Sequence, residues 1–116
     1  MNNLAEDVLY LYEMAKLSAR GRYELYRVEK VTKGDPHKSE DVDIDYRKIV
    51  YSFMSDGHVL RKLIVRQKPS SFYPKGETKD FGFKDFKNFS KFPDFEKRFE
   101  LVVKDMKSKG FTSVKG

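Results

Sequence analysis

The sequence predicts one α+β domain, in which a four-stranded, mostly antiparallel sheet is flanked by an N-terminal and a C-terminal helix. Three observations lead to this prediction. Two β-rich runs meet at Asp56-Gly57, apolar residues recur at helical spacing near both ends, and 116 residues suit a single hydrophobic core. We therefore expect residues 1–116 to form one domain.

The predicted N-terminal helix begins with a capping box, with Asn3 as N-cap and Glu6 three residues later. Apolar residues at helical spacing follow, and Gly21 suits the end of the helix. The next segment, 22–32, is rich in Tyr, Leu and Val and predicts a strand. Its alternation slips between Leu25 and Tyr26, which indicates a bulge or burial on both faces. A polar, acidic loop is expected over 33–45.

The segment 49–65 predicts a β-hairpin, because Asp-Gly is the strongest short hairpin signal. A two-residue turn at Asp56-Gly57 would pair Ser55 with His58. One face of the hairpin would then carry the pairs Phe53–Leu60, Tyr51–Lys62, Ile49–Ile64 and Arg47–Arg66. This register predicts aromatic and basic side chains together on one face.

A loop with two prolines and the pair Phe72-Tyr73 follows over 68–79, and a fourth strand is expected over 80–86. The phenylalanines between Phe81 and Phe99 are expected in the core, because they run into an amphipathic helix. That helix begins near Pro93 and ends at Gly110, where a Schellman motif is predicted.

Charge is distributed unevenly along the chain. Residues 35–46 hold five acids and one lysine, whereas residues 47–79 hold eight bases and two acids. A basic block interleaved with aromatic residues is typical of proteins that bind single-stranded nucleic acid, in which bases stack on rings while cations contact phosphates. The alternative is that these lysines are solvated and keep a small protein soluble.

Enzyme chemistry has little support in the sequence. His37 and His58 lack a Ser or Cys partner at a suggestive spacing, and no Walker or dinucleotide glycine motif is present. The acids Asp41, Asp43 and Asp45 would lie on one side of an extended segment, beside Glu40, and could hold a divalent cation for phosphodiester cleavage. A solvated acidic loop is the alternative. We expect no catalytic residue, no metal and no cofactor.

The composition also bears on the compartment. The chain has no cysteine, which favours a reducing compartment, the cytoplasm. No apolar run approaches the roughly 18 residues of a membrane span. Acidic Glu6 and Asp7 oppose a signal peptide. High Lys and Glu content with few Asn and Gln is typical of thermophiles.

The run from Val59 to Arg66, the arm after it, the Gly82-containing strand and the final amphipathic helix together resemble the Whirly, PUR and positive transcriptional coactivator group. The resemblance covers roughly residues 47–107 and concerns layout. In that group a strand ending in Ile-Arg leads through a protruding arm to a Gly-containing strand. Here Ile64, Val65 and Arg66 stand in the Ile-Arg region. The resemblance implies a homodimer that binds single-stranded DNA or RNA on a curved sheet.

We therefore expect sequence-tolerant binding of single-stranded DNA or RNA, with no membrane partner and no small-molecule substrate. The alternatives are a protein–protein adaptor, such as a viral or plasmid accessory factor that uses apolar helix surfaces, and a metal-dependent nuclease. The residues predicted to bind nucleic acid are Arg47, Tyr51, Arg61, Lys62, Arg66, Lys68, Phe72, Tyr73 and Lys75.

Overall fold

The structure, a computed structural model, describes residues 21–114. Its central element is an antiparallel sheet with the strand order β4-β3-β2-β1-β5. A short 3₁₀ turn, Ser39–Asp41, lies between the first two strands. The elements are β1 (Glu24–Lys33), β2 (Ile44–Met54), β3 (His58–Gln67), β4 (Glu77–Asn88), α1 (Phe95–Ser108) and β5 (Thr112–Ser113).

The predicted architecture, a four-stranded sheet between two helices, is wrong. The sheet has five strands, and the single α-helix among residues 21–114 is the C-terminal one. The predicted N-terminal helix falls on residues 3–20, which lie outside the described residues. The fifth strand was not predicted because it is only two residues long. Thr112 and Ser113 form a strand only by pairing with β1.

The end of α1 explains how β5 reaches the sheet. The N–H of Phe111 donates to the carbonyl of Met106 at 3.1 Å, and the N–H of Gly110 donates to Lys107 at 3.1 Å. Gly110 has a φ of +98°, which L side chains rarely adopt. The predicted Schellman motif is thereby confirmed. It reverses the chain so that Thr112 and Ser113 pair with β1.

The face of the sheet toward α1, here called the helix side, carries one hydrophobic cluster. Phe53 and Phe99 are fully buried, with ring centroids 5.2 Å apart in an edge-to-face contact. Val28, Val59 and Met106 complete the buried cluster. Because Phe53 and Val59 directly flank the β2–β3 turn, α1 packs over that end of the sheet.

The hairpin of β2 and β3 is confirmed, but its predicted register is wrong by one residue. Phe53 pairs with Val59, and Tyr51 pairs with Arg61. The turn is longer than predicted: Gly57 has a φ of +92° and its N–H donates to the carbonyl of Met54 at 3.0 Å. A one-residue slip moves every side chain of the partner strand to the other face. Lys62 therefore faces away from Tyr51.

The edge strand β4 is bulged at two places. Its pairing with β3 shifts between Val59 and Leu60, and again between Lys62 and Ile64. At the second bulge, Gly82 has a φ of +74° and its N–H donates to Asp80 Oδ1 at 2.8 Å. This extra residue lets Phe81 and Phe83 face opposite sides of the sheet.

The face opposite α1 buries apolar residues together with the charged Lys62. Val50, Leu60 and Ile64 are among its buried apolar residues.

Within residues 21–114, no helix has the length and hydropathy that crossing a membrane requires.

Candidate nucleic-acid interface

The helix side of β4 carries lysine and phenylalanine in alternation, and we call Lys79, Phe81, Lys84 and Phe86 the β4 ladder. Pairing fixes their side: Lys79 pairs with Val65 and Lys84 with Arg61, both of which share the face of Tyr51. Phe81 is 50% exposed and Phe86 is 44% exposed. The ladder therefore places two accessible rings and two cations along one strand.

Two acids of β4, Asp80 and Asp85, lie on the opposite face, whereas Glu77 pairs with Gln67 on the helix side. Asp80 Oδ2 is 3.3 Å from Lys62 Nζ, and Asp85 Oδ1 is 3.2 Å from His58 Nδ1. Because side chains alternate along a strand, the lysines of the ladder are separated from these carboxylates. The helix side of β4 carries Lys79, Lys84 and Lys87 against the single acid Glu77, so it is net positive.

A pocket of about 330 Å³ lies within this surface. Its lining includes Arg61, Leu63, Phe81 and Phe86, together with the acidic Asp85. That volume is at the lower end of the range for small-ligand sites. The lining combines the apolar side chains of Leu63, Phe81 and Phe86 with the basic residues Arg61 and Lys84, a combination suited to a flat aromatic group attached to an anion.

Packing holds the rings of the pocket in place. Tyr51 contacts Phe86 edge to face at 5.0 Å between ring centroids, and contacts Phe111 at 5.4 Å on the other side. Tyr51 thus packs between two phenylalanines and is half-buried. Tyr51 therefore supports Phe86, and its predicted role in stacking on a base stays a prediction.

Three predicted residues come together on the helix side: Arg47, Tyr51 and Arg61. Two others do not. Lys62 is 2% exposed, with its ammonium group 4.7 Å from the ring centre of Phe83. Arg66 comes directly after Val65 in β3, so its side chain lies on the opposite face. It donates a hydrogen bond to the carbonyl of Lys75 at 2.7 Å. The register slip separates both from Tyr51.

The loop between β3 and β4, residues 68–76, is exposed and basic. It carries Lys68 and Lys75 and no acid. Phe72, at 88% exposed, is the most accessible large apolar side chain among those of the described residues. Reciprocal hydrogen bonds between Ser70 and Tyr73, at 2.9 and 3.2 Å, close a turn around Phe72. The last four of the predicted binding residues therefore lie on one loop.

Arg47 lies at the end of the helix side farthest from α1, and it is already paired. Its Nη2 is 2.8 Å from Asp41 Oδ1. Asp41 Oδ2 also accepts the backbone N–H of Asp35 at 2.9 Å. The hydrogen bond from Arg47 is the main cause that lowers the pKa of Asp41, and it raises the pKa of Arg47 in turn.

We predict that Asp41→Asn reduces the acid sensitivity of the fold. The pKa of Asp41 in the folded state lies below its ordinary value of 3.8, so its ionisation stabilises the fold above that value. This contribution is lost as the pH falls through the folded-state pKa. Urea unfolding at neutral pH and near pH 3 should show a smaller loss of stability in Asp41→Asn than in the wild type. Asp43→Asn, an exposed control that keeps the pair, should behave as the wild type does; equal losses in all three proteins would contradict the prediction.

The acidic segment provides no metal centre among the described residues. Within 21–114, no three His, Asp or Glu side chains are grouped so that they could hold an ion. Asp41 is buried against Arg47, whereas Glu40, Asp43 and Asp45 are exposed. Asp41 is thus paired with Arg47, and the carboxylates of Asp41, Asp43 and Asp45 do not form a group that could hold a metal ion.

Sequence reasoning missed the β4 ladder. The sequence predicts that its phenylalanines lie in the core together with Phe99. Phe99 is buried, but Phe81 and Phe86 are exposed, so the prediction is wrong for these two. Lys79, Phe81, Lys84 and Phe86 lie on one face only because the extra residue at the Gly82 bulge shifts the alternation between Phe81 and Lys84. That glycine, between two phenylalanines in a strand, was the one available signal for a bulge.

No family model matches the chain, and no curated protein or solved structure matches it significantly.

Proposed function

We propose that this protein binds single-stranded DNA or RNA, without strong sequence preference, along the β4 ladder and the adjoining Arg61. The observation that supports this most is the alternation of cations and exposed rings on one face of β4. Single-strand binders use this combination, because any base can stack on an aromatic ring while cations contact the phosphates on either side.

The pocket supports a preference for unpaired bases. A base must leave its duplex stack to lie between Phe81 and Phe86, so a duplex could use only the cations. Stacking of one base on an aromatic side chain is worth about 1–3 kcal/mol, and it depends little on which base is present. Leu63, which also lines the pocket, adds apolar surface that favours contact with a base over contact with water.

The 68–76 loop extends the proposed surface. β4 begins directly after this loop, so a strand bound along the ladder past Lys79 would arrive at it. Lys68 and Lys75 would then contact phosphates, with Phe72 and Tyr73 available for stacking. Arg66 has a different role in this proposal, since its hydrogen bonds to Lys75 and Thr78 hold the base of the loop.

Fluorescence anisotropy with labelled oligonucleotides tests the proposal. The probes are a single-stranded DNA and a single-stranded RNA of about 20 nucleotides, longer than typical single-domain sites, and the matching DNA duplex. We expect both single strands to bind more tightly than the duplex. The slope of log K against log salt should be roughly −2 to −3, as for three or four phosphate contacts. Equal binding of duplex and single strand, or binding that ignores salt, would refute the proposal.

The homodimer and the cytoplasmic location are parts of the same proposal. β4 offers a poor edge for pairing with a second chain, because it is bulged twice and lined with lysine. A dimer is therefore expected to use another surface. Sedimentation of the protein alone and with oligonucleotide gives the number of chains, with two expected. The lack of cysteine in the sequence favours the cytoplasm.

The adaptor alternative has weaker support. On α1, which is described in full, Leu101 is the one large apolar side chain that is exposed. Single exposed apolar residues are normal on protein surfaces and do not form a docking patch.

A further inference from the structure

Arg47, a cation at the end of the proposed binding surface, is held in an ion pair with Asp41. Arg47 pairs with Val65 in the sheet, and Val65 pairs with Lys79, the first residue of the β4 ladder. Arg47 therefore belongs to the same row as a proposed phosphate contact. Its guanidinium meets the carboxylate of Asp41 at 2.8 Å, the distance of a charge-assisted hydrogen bond.

We infer that Asp41 acts as an internal competitor of nucleic acid, whose carboxylate holds Arg47 where a phosphate of the bound strand would otherwise contact it. This inference rests on the proposed function and concerns the regulation of the same surface. A carboxylate and a phosphate oxygen are both anionic acceptors for guanidinium, so one can replace the other. Binding then exchanges one ion pair for another at Arg47, with little net gain.

The geometry indicates that this contact is more specific than an ordinary ion pair between two exposed side chains. Asp41 is 7% exposed, and its second oxygen accepts the N–H of Asp35, so the carboxylate is fixed by the Ser39–Asp41 turn. Arg47 itself keeps 36% of its side chain exposed. A phosphate can therefore reach Arg47 from solvent, where it competes with the fixed carboxylate of Asp41 for the guanidinium.

The test compares two variants of equal charge. Asp41→Asn and Asp43→Asn each remove one negative charge from the same segment, but only Asp41→Asn releases Arg47. We expect Asp41→Asn to tighten binding of the single-stranded DNA about fivefold or more, the lower range of site-to-site coupling. Its salt slope should steepen by about 0.7, as for one added phosphate contact. Asp43→Asn should change affinity less than about twofold, as expected for a screened surface charge.

Arg47→Gln provides a second measurement, and its arm in the wild-type background does not require the Asp41 variant to fold. In the wild-type background it should change affinity little, and in Asp41→Asn it should remove the gain. Equal effects of Asp41→Asn and Asp43→Asn would overturn the inference, as would a loss in Arg47→Gln as large as that in Arg61→Gln. If the wild type binds no single strand at all, the proposed function itself fails, so the two failures are distinct.

Discussion

Replacing Arg61 and Lys84 together by glutamate is expected to weaken single-stranded DNA binding about a hundredfold or more, because hydrogen bonds to charged groups contribute roughly 1.5–3 kcal/mol each. The two residues are paired in the sheet and face the same side, one from β3 and one from β4. Their cations flank the pocket between Phe81 and Phe86. The salt slope should flatten by about 1.4, since two phosphate contacts are lost.

The matched control is Lys97→Glu with Lys104→Glu on α1. Both lysines are exposed, and the pair changes net charge by the same amount. It should weaken binding only a few-fold, through the general field of the protein. Circular dichroism checks that both double variants are folded. Equal losses of affinity in the two would show that net charge, rather than the β4 ladder, governs binding.

Phe53→Ala is expected to remove a large part of the stability of the fold. The ring of Phe53 is fully buried and contacts Phe99 at 5.2 Å and Tyr26 at 6.5 Å between centroids. Truncation of a buried phenylalanine costs about 3–5 kcal/mol, from lost transfer energy and the cavity left behind. A domain of this size is stable by about 5–15 kcal/mol, so the loss is a large part of the total. Urea unfolding followed by circular dichroism measures it.

Phe72→Ala is the control for the same change of side chain. Its ring is 88% exposed at the tip of the 68–76 loop, so its loss should change stability by less than about 0.5 kcal/mol. A destabilisation by Phe72→Ala comparable with that of Phe53→Ala would mean that the loop is packed and not exposed. The proposed nucleic-acid contact of Phe72 would then lack its basis.

Local chemistry made several elements predictable from the sequence. Asp56-Gly57 indicated the β2–β3 hairpin, since few dipeptides tolerate the backbone of such a turn. Gly110 followed by Phe111 indicated the Schellman motif at the end of α1, and both hydrogen bonds of that motif are present. The slip in alternation within β1 indicated a bulge, which lies between Glu24 and Tyr26. Each of these signals is carried by residues close together in the chain.

The candidate site was less predictable, because it depends on which face of the sheet each residue takes. The loop between β2 and β3 contains one residue more than the two-residue turn assumed, and Lys62 was consequently placed on the wrong face. It lies instead beside Asp80 and Phe83, buried. Arg61, predicted for the opposite face from Tyr51, is in fact its cross-strand partner.

By itself the sequence determined the cysteine-free composition, the basic and acidic segments, the hairpin and the C-terminal helix with its cap. The tertiary structure alone decided the register of β3, the two bulges of β4 and the addition of β5. The physical reason is the two-residue period of a strand. One added residue in a turn or bulge reverses the side of every residue that follows, and only the packing of strands against each other and α1 selects where that residue is added.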